Sequence, residues 1–505
     1  MSATVAGPSV ALPSPRVRSQ GIALRRGIVL VLFSLLVPGS AQLAAGNRTL
    51  GRWAVRIWAT ILGMIVVLGL LALPFRAFVI GLLANQITLF ILQWGVLIYG
   101  VGWALLLLDA WRLANPLAMS KAGAIISGVL ALALAFTGGG LAWGASGIIE
   151  AQRSLFGQVF EGGGNAQAQN GRYNVLLLGG DAGADRTGLR PDSMTVASID
   201  AETGRTVLFS LPRNMQRVPF PVDSPLHKLY PNGYYCPEKS LADQCLLNGV
   251  FTLATQHKNL FPGVKYPGVE ATRSVIEETL GLKINYWAMI DMKGFEKLID
   301  AVGGIRLDVG KKVGIGSEHG KKGVYDWIMP GKNQLLDGWH ALWFARSRVA
   351  SNDYERMLRQ KCVMSAMLKQ LDPATVLTKF QALAEAGKQV VATNVPSDQL
   401  GTLLELAMKG KAVPMSSVSF TPPLITPMNP DFAKIRTLVT DAINASEAAD
   451  KAAANPPAQQ PQQPQQPQQP ASQAPASQAP SSTKPSTKQT SKTRTDNLEA
   501  VCKVS

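Results

Sequence analysis

Hydrophobic positions fall into three regimes along the chain. Apolar residues first come in long stretches, 27–46, 53–75, 77–108 and 122–148, each near or above the ~20 residues a helix needs to cross a bilayer. From Tyr173 to about Ala445, short apolar clusters alternate with turn signals, the pattern of a mixed α/β domain. Beyond that the run "NPPAQQPQQPQQPQQPASQAPASQAP" has nothing with which to bury a core. Residues 446–495 therefore read as a disordered tail, followed by a short amphipathic segment, 496–505.

Charge sharpens the first regime. The chain carries a formal +16, but residues 1–121 hold ten Lys/Arg against the single acid Asp109. Positive charge that flanks membrane segments sets their orientation, so the surplus calls for no nucleic-acid partner. Arg16, Arg18, Arg25 and Arg26 precede the stretch 27–46, and Arg48, Arg52 and Arg56 follow it. Both clusters favour the cytoplasmic side, so "LVLFSLLVPGSAQLAAG", with its central Pro-Gly, is expected as a hairpin or re-entrant segment. This gives a cytoplasmic segment 1–26, spans at 53–75, 77–108 and 122–148, a linker 149–172, and a domain 173–445 outside the cell. Four full spans, the alternative, would leave that domain inside. No cleavable signal peptide is evident, since further apolar spans follow the first at once.

Within the domain, "YNVLLLGG", "SMTVASID" and "RTVLFSLP" read as strands, the last two joined by the turn "AETG". A tight turn makes neighbouring strands antiparallel, so Asp181, Arg190, Asp192 and Arg213 should converge at one end of one sheet. Two arginines and two carboxylates there suit a phosphate group with a divalent cation. A second cluster lies in "ARSRVASNDYERMLRQ". Arg346 and Arg348 alternate as on extended chain, and Asp353, Arg356 and Gln360 share a helix face, with Arg359 beside them. Met357, Met364, Met367, Leu368 and Leu371 roughly continue that face, so a charged head above an apolar slot is expected. Such a slot suits a ligand with a phosphate end and a hydrocarbon end. Surface salt bridges are the plain alternative, but four arginines in 346–359 exceed what Asp353 and Glu355 neutralise.

Other chemistry is thin. The four histidines are scattered, and Ser193 and Ser210 lack a nucleophile elbow. Cys236, Cys245, Cys362 and Cys502 match no zinc spacing. Outside the membrane their even number allows two disulfides, Cys236–Cys245 being the natural local pair, which leaves Cys362 for Cys502. Four unpaired thiols are the alternative.

The blocks "NVLLLGGDAG", "LRPDSMTVASID", "TVLFSLPRNM", "HKLYPNG", "INYWAMIDMKGFEKLIDAVGGIRLDV" and "ARSR…NDYERMLRQ" resemble, in order and spacing, the LytR–CpsA–Psr family over about 173–372. The resemblance implies a mixed central sheet between helices, here preceded by a multi-span helical anchor. It also implies a transferase that moves a glycopolymer from a polyprenyl-pyrophosphate carrier to a peptidoglycan hydroxyl. Carried over, Arg190, Arg213, Arg346, Arg348, Arg356 and Gln360 would bind pyrophosphate, and Lys228 would join them from a loop that departs from the family pattern. Asp181 and Asp192 would hold Mg²⁺ (or Mn²⁺), and Asp353 would orient or deprotonate the acceptor hydroxyl. Asn214, where an Asp is common, and Lys361, where a second Gln often stands, are departures, as is the multi-span anchor. Non-catalytic sensing of the lipid phosphate and hydrolysis of the pyrophosphate are the alternative activities. An Ala-rich, Lys-poor membrane region is compatible with an actinobacterial source.

Overall fold

In the computed structural model the described residues are 15–159, 167–181, 190–238, 245–316, 323–349, 351–370, 391–454, 494–495 and 497–503. They form two units, one of residues 1–158 with 397–402, the other of 159–396 with 403–505.

The long apolar runs of the first unit become helices α1 (Pro15–Leu36), α2 (Ser40–Ala45), α3 (Arg48–Leu71), α4 (Arg76–Ala84), α5 (Gln86–Leu113) and α6 (Lys121–Val159). Three segments are long and apolar enough to cross a membrane: 48–71, 86–118 and 121–153. The Pro-Gly of the first stretch makes a turn, with Gly39 at φ 94°. A side chain there would clash, because its Cβ would lie 2.6 Å from the Ala54 Cβ. The turn sends α2 back, where buried Gln42 donates its amide to the Leu106 carbonyl (3.0 Å) and to Asp109 Oδ2 (3.1 Å). Trp103 Nε1 donates to the Ser34 carbonyl, and Leu30, Val31, Leu107 and Ala131 pack as one core.

Two expected boundaries shift. The stretch 77–108 is two helices, since Asn85 adopts extended backbone and its side chain caps α5 by accepting from Ile87 and Thr88 N–H. The linker expected at 149–172 is helical as far as Val159.

In the second unit, β1 (Arg172–Asp181), β2 (Arg190–Asp200) and β3 (Thr206–Leu211) form an antiparallel meander. The chain continues through α7 (Gly249–Gln256), α8 (Pro267–Leu280), β4 (Tyr286–Asp291), α9 (Met292–Ala301), β5 (Ile305–Val309), β6 (Val313–Gly316), β7 (Val324–Ile328), β8 (Gly331–Leu336), α10 (Gly338–Arg346) and α11 (Asp353–Gln370). After β9 (Val391–Thr393) come α12 (Leu400–Gly410), β10 (Ser416–Ser419), α13 (Phe432–Ala454), β11 (Arg494–Thr495) and α14 (Leu498–Cys502).

The principal sheet has the order β11-β10-β3-β2-β1-β4-β9 and is mixed, with β4 parallel to β1 and β10 parallel to β3. Its central strands are buried on both faces, which is why they read as near-continuous apolar runs. On one face Leu176, Leu178, Val196 and Phe209 pack against Val250, Val275, Ile276 and Val439 of α7, α8 and α13. On the other, Ala197 and Leu208 pack with Met364 and Leu368 of α11 and with Leu498 of α14. A smaller layer of the pairs β5–β8 and β6–β7 with α9 and α10 has its own core around Ile299, Ile315 and Phe344. The architecture is the expected α/β mixed sheet between helices.

The tail also begins later than expected. α13 runs to Ala454, past the boundary at 446, because an alanine-rich stretch sustains the helix. Residues 455–493, which carry most of the expected disordered tail, lie outside the described residues. The chain beyond them is tied to the domain: β11 pairs with β10, and Leu498 N–H donates to the Met415 carbonyl (2.9 Å). Disulfides join Cys236 to Cys245 and Cys362 to Cys502, the second closing a separation of 140 residues. Closing so long a loop removes much entropy from the unfolded chain. Replacing Cys362 and Cys502 together by alanine is expected to lower unfolding stability by about 2–5 kcal/mol in urea titrations. An unchanged midpoint would mean that the terminal segment contributes nothing to the fold.

Candidate active site

The ends of the meander set the first group of side chains. Asp181 at the end of β1 pairs in register with Arg190 at the start of β2. The ladder then slips: Gly180 faces Pro191 while Gly179 faces Ser193, which leaves Asp192 as the extra residue of a β-bulge. Bulges re-aim a side chain and end regular pairing, and this one frees Asp192 from the ladder. Met194 pairs with Leu211, and the chain leaves β3 through Pro212, so Arg213 returns beside Asp192. Arg213 Nη1 donates to Asp192 Oδ1 at 2.6 Å.

The second group comes from the junction of α10 and α11. Asn352 caps α11 by accepting from Glu355 N–H, and the Asp353 carboxylate is left uncommitted. Arg356 Nη2, Arg213 Nε and Arg348 Nη1 stand 3.0, 3.8 and 3.9 Å from Asp353 Oδ1. None is aligned as a hydrogen bond, and both buried carboxylate oxygens lack a donor among the described residues. The two sequence clusters thus meet in one cleft, lined by Asp192, Ser193, Thr195, Ser210, Arg213, Arg356, Met357, Gln360, Lys361 and Met364, among others.

Arg359 has a different part from the one its sequence position suggests. Its Nε donates to the Phe344 carbonyl (2.7 Å), and its Nη2 to the Ser347 carbonyl and to Ser351 Oγ. It thereby straps the loop that carries Arg348 to the C-terminal end of α10, where carbonyls without helical partners favour a cation. Arg346, on the last turn of α10, lays its guanidinium 4.9 Å over the Trp343 ring. Arg190 and Lys228 are exposed and join none of these ion pairs, and the Asp181 side chain lies outside the described residues.

The cleft carries more positive than negative charge. Asp192 and Asp353 face Arg213, Arg348 and Arg356, with Lys361 close by. Arg356 is 2% exposed. Burial lowers its pKa, Asp353 opposes that shift, and the positive charge of Arg213 adds to it. Its Nε is buried with no acceptor among the described residues. A buried cation with unused donors is costly unless an anion completes it. Hydroxyls of Ser193, Thr195 and Ser210 line the cleft with Met357 and Met364, where a continuous apolar slot was expected. Helical geometry divides that slot. Met364 and Leu368 turn toward Leu208, while Met367 packs with the Ile299 and Phe344 core, and Leu371 lies outside the described residues.

No group of three or more acid, histidine or cysteine side chains stands ready to hold a metal among the described residues. Asp181 and Asp192, at two neighbouring strand ends, fit Mg²⁺ by residue type, since carboxylates are what that ion takes alongside phosphate and water.

Sequence reading placed Lys361 only as a departure from a family pattern, yet it lines the cleft at 4% exposure. Its Nζ donates to Ser417 Oγ (3.2 Å) on β10. Burial depresses its pKa from 10.5 to about 8. The unfolded chain therefore binds more protons between those values, and stability rises as pH climbs through that window. Below it, the buried charge costs on the order of 3 kcal/mol. Lys361→Met is expected to raise stability at neutral pH by a sizeable part of that. The same change should flatten the pH dependence between 8 and 10.5 relative to wild type in urea unfolding. Equal pH profiles would refute the assigned burial.

The LytR_cpsA_psr family model matches residues 158–431. A polyisoprenyl-teichoic acid–peptidoglycan teichoic acid transferase, TagU, of Bacillus mycoides is 30% identical over 137 residues, covering 27% of this chain and 42% of that protein. TagU of Oceanobacillus iheyensis is 26% identical over 234 residues, covering 46% and 61%. The chain thus spans roughly half the length of these relatives. Among solved structures, B. subtilis TagV is 22% identical with a TM-score of 0.38, covering 54% of this chain and 97% of that one. A structure described as TagT bound to LIIa-WTA is 19% identical with a TM-score of 0.36, covering 57% and 96%. With more than half of its length matched by the family model, the chain belongs to the LytR_cpsA_psr family.

Proposed function

We propose that the protein transfers a glycopolymer from a polyprenyl-pyrophosphate carrier to a hydroxyl of peptidoglycan. One observation carries this reading: Asp353, without a hydrogen-bond donor, stands within 4 Å of three arginines in a cleft with surplus positive charge. Relatives named as teichoic acid transferases support the reaction class.

The acceptor oxygen attacks the sugar-linked phosphorus. A new O–P bond forms, the bridging P–O bond breaks, and polyprenyl phosphate departs with the electron pair. Asp353 accepts a hydrogen bond from the acceptor hydroxyl and takes its proton as the O–P bond forms. Arg213, Arg348 and Arg356 stabilise charge on the equatorial and bridging oxygens, and Gln360 orients the phosphates from the next turn of α11. Arg346, Arg190 and Lys228 would bind the outer phosphate oxygens. In transfers of this kind positioning and electrostatics supply most of the catalysis. Asp181 and Asp192 would hold Mg²⁺ (or Mn²⁺), which when bound neutralises phosphate charge.

The same reading places the domain outside the cell. Arginines on both sides of the α1–α2 hairpin keep that hairpin on the cytoplasmic side, and an odd number of spans then carries the domain across. Two disulfides support an oxidising compartment.

The test uses the full chain in detergent with a polyprenyl-pyrophosphate oligosaccharide and peptidoglycan fragments. Glycan attachment and polyprenyl phosphate release are followed together. Asp353→Asn and Arg356→Ala are each expected to lower attachment by about 10²–10³. Binding without release would make the protein a sensor of the carrier, and release that needs no acceptor would make it a pyrophosphatase.

A further inference from the structure

A row of aromatic rings stands on α10 and the β6–β7 hairpin, beside the loop that carries Arg348, and the mechanism uses none of them. Trp343 on α10 carries Arg346 on its face. Around it stand Trp339, one helical turn earlier with ring centroids 5.7 Å apart, and Tyr325 of β7 at 6.5 Å. Tyr325 is 63% exposed and Trp339 40%, while Trp343 is 8% exposed. The indole Nε1–H of Trp343 is buried and has no acceptor among the described residues. The hairpin β6–β7 is held against the arginine loop because Gly314 has no side chain. A Cβ there would lie 2.8 Å from Val349 Cγ1. Trp327, paired with Gly314 and covered by the Lys312 ammonium at 4.7 Å, extends the row along the hairpin.

We propose that Tyr325, Trp339 and Trp343 form a subsite for the first sugars of the carrier-linked glycan. The inference rests on the reading of the cleft as a pyrophosphate site. If Arg346 reaches the sugar-side phosphate, the group covalently next to it is a pyranose, and the rings joined to Arg346 through Trp343 are the next surface it meets. Pyranose C–H faces pack on aromatic rings, and Tyr325 and Trp339 leave ring surface open for that contact. Exposed aromatics beside lysines also suit a phospholipid surface. The place of the rings against the loop that carries Arg348, with Arg346 stacked on Trp343, favours the sugar.

Full-length protein in detergent micelles is titrated calorimetrically with geranyl pyrophosphate and with geranyl-pyrophosphoryl-N-acetylglucosamine. Wild type is expected to bind the glycosylated probe about tenfold more tightly, the worth of one or two stacked rings. Tyr325→Ala/Trp339→Ala is expected to abolish that preference with affinity for geranyl pyrophosphate unchanged. Tyr325→Trp, which keeps a ring, should retain it, and thermal unfolding confirms that each variant is folded. Equal binding of both probes by wild type, or an unchanged preference in the double variant, overturns the subsite and leaves the pyrophosphate reading intact. Binding of neither probe, or no effect of Arg356→Ala on either, overturns both. A double variant that loses binding to phosphatidylglycerol vesicles while keeping the sugar preference assigns the rings to the membrane instead.

Discussion

A guanidinium held 2% exposed, with a donor unsatisfied and two further arginines around the same carboxylate, is the constraint on which the rest of the domain depends. Such an arrangement is unfavourable in isolation, and α11 is fixed from several sides to sustain it. Arg359 ties it to the end of α10, Lys361 reaches Ser417 on β10, and Cys362 bonds to the returning C-terminal segment. Stability spent on a preorganised positive cleft is recovered when an anion enters, because burial strengthens the field the anion meets.

The acidic partners come from a different kind of element. Asp192 owes its position to a bulge two residues into β2, and Arg213 to the proline that ends β3. Asp353 joins them from a helix cap whose hydrogen bond Asn352 has already made. The sheet edge and the capped helix start together bring Asp192, Arg213 and Asp353 into one cluster.

Much of this was legible in the sequence because strands and helices have fixed periods. The alternation in "SMTVASID" and the turn "AETG" brought Asp192 and Arg213 to one edge. The spacing of Asp353, Arg356 and Gln360 put them on one helix face. What period alone could not give was tertiary. The slip that frees Asp192 depends on a partner strand, and Lys361 reads as an ordinary helix lysine until β10 covers it. Arg359 was counted with the surplus charge, although its donors are spent on backbone carbonyls. The apolar slot failed for the converse reason. Met364 and Met367 are three apart and look like one face, but different layers flank α11 and take them separately. Asn85 was missed as a helix break because the apolar run around it is uninterrupted on either side.

The first unit bears on how such a site meets its substrate. Its helices present Ile57, Leu62, Ile65 and Leu70 outward, while the polar contacts of Gln42 and Trp103 are kept among the helices. Chains with this division are held in a bilayer by their apolar faces and to one another by buried hydrogen bonds. On the function proposed above, a donor carried on a polyprenyl chain would be confined to such a surface. Tethering then raises the local concentration of site and donor without any new contact between them.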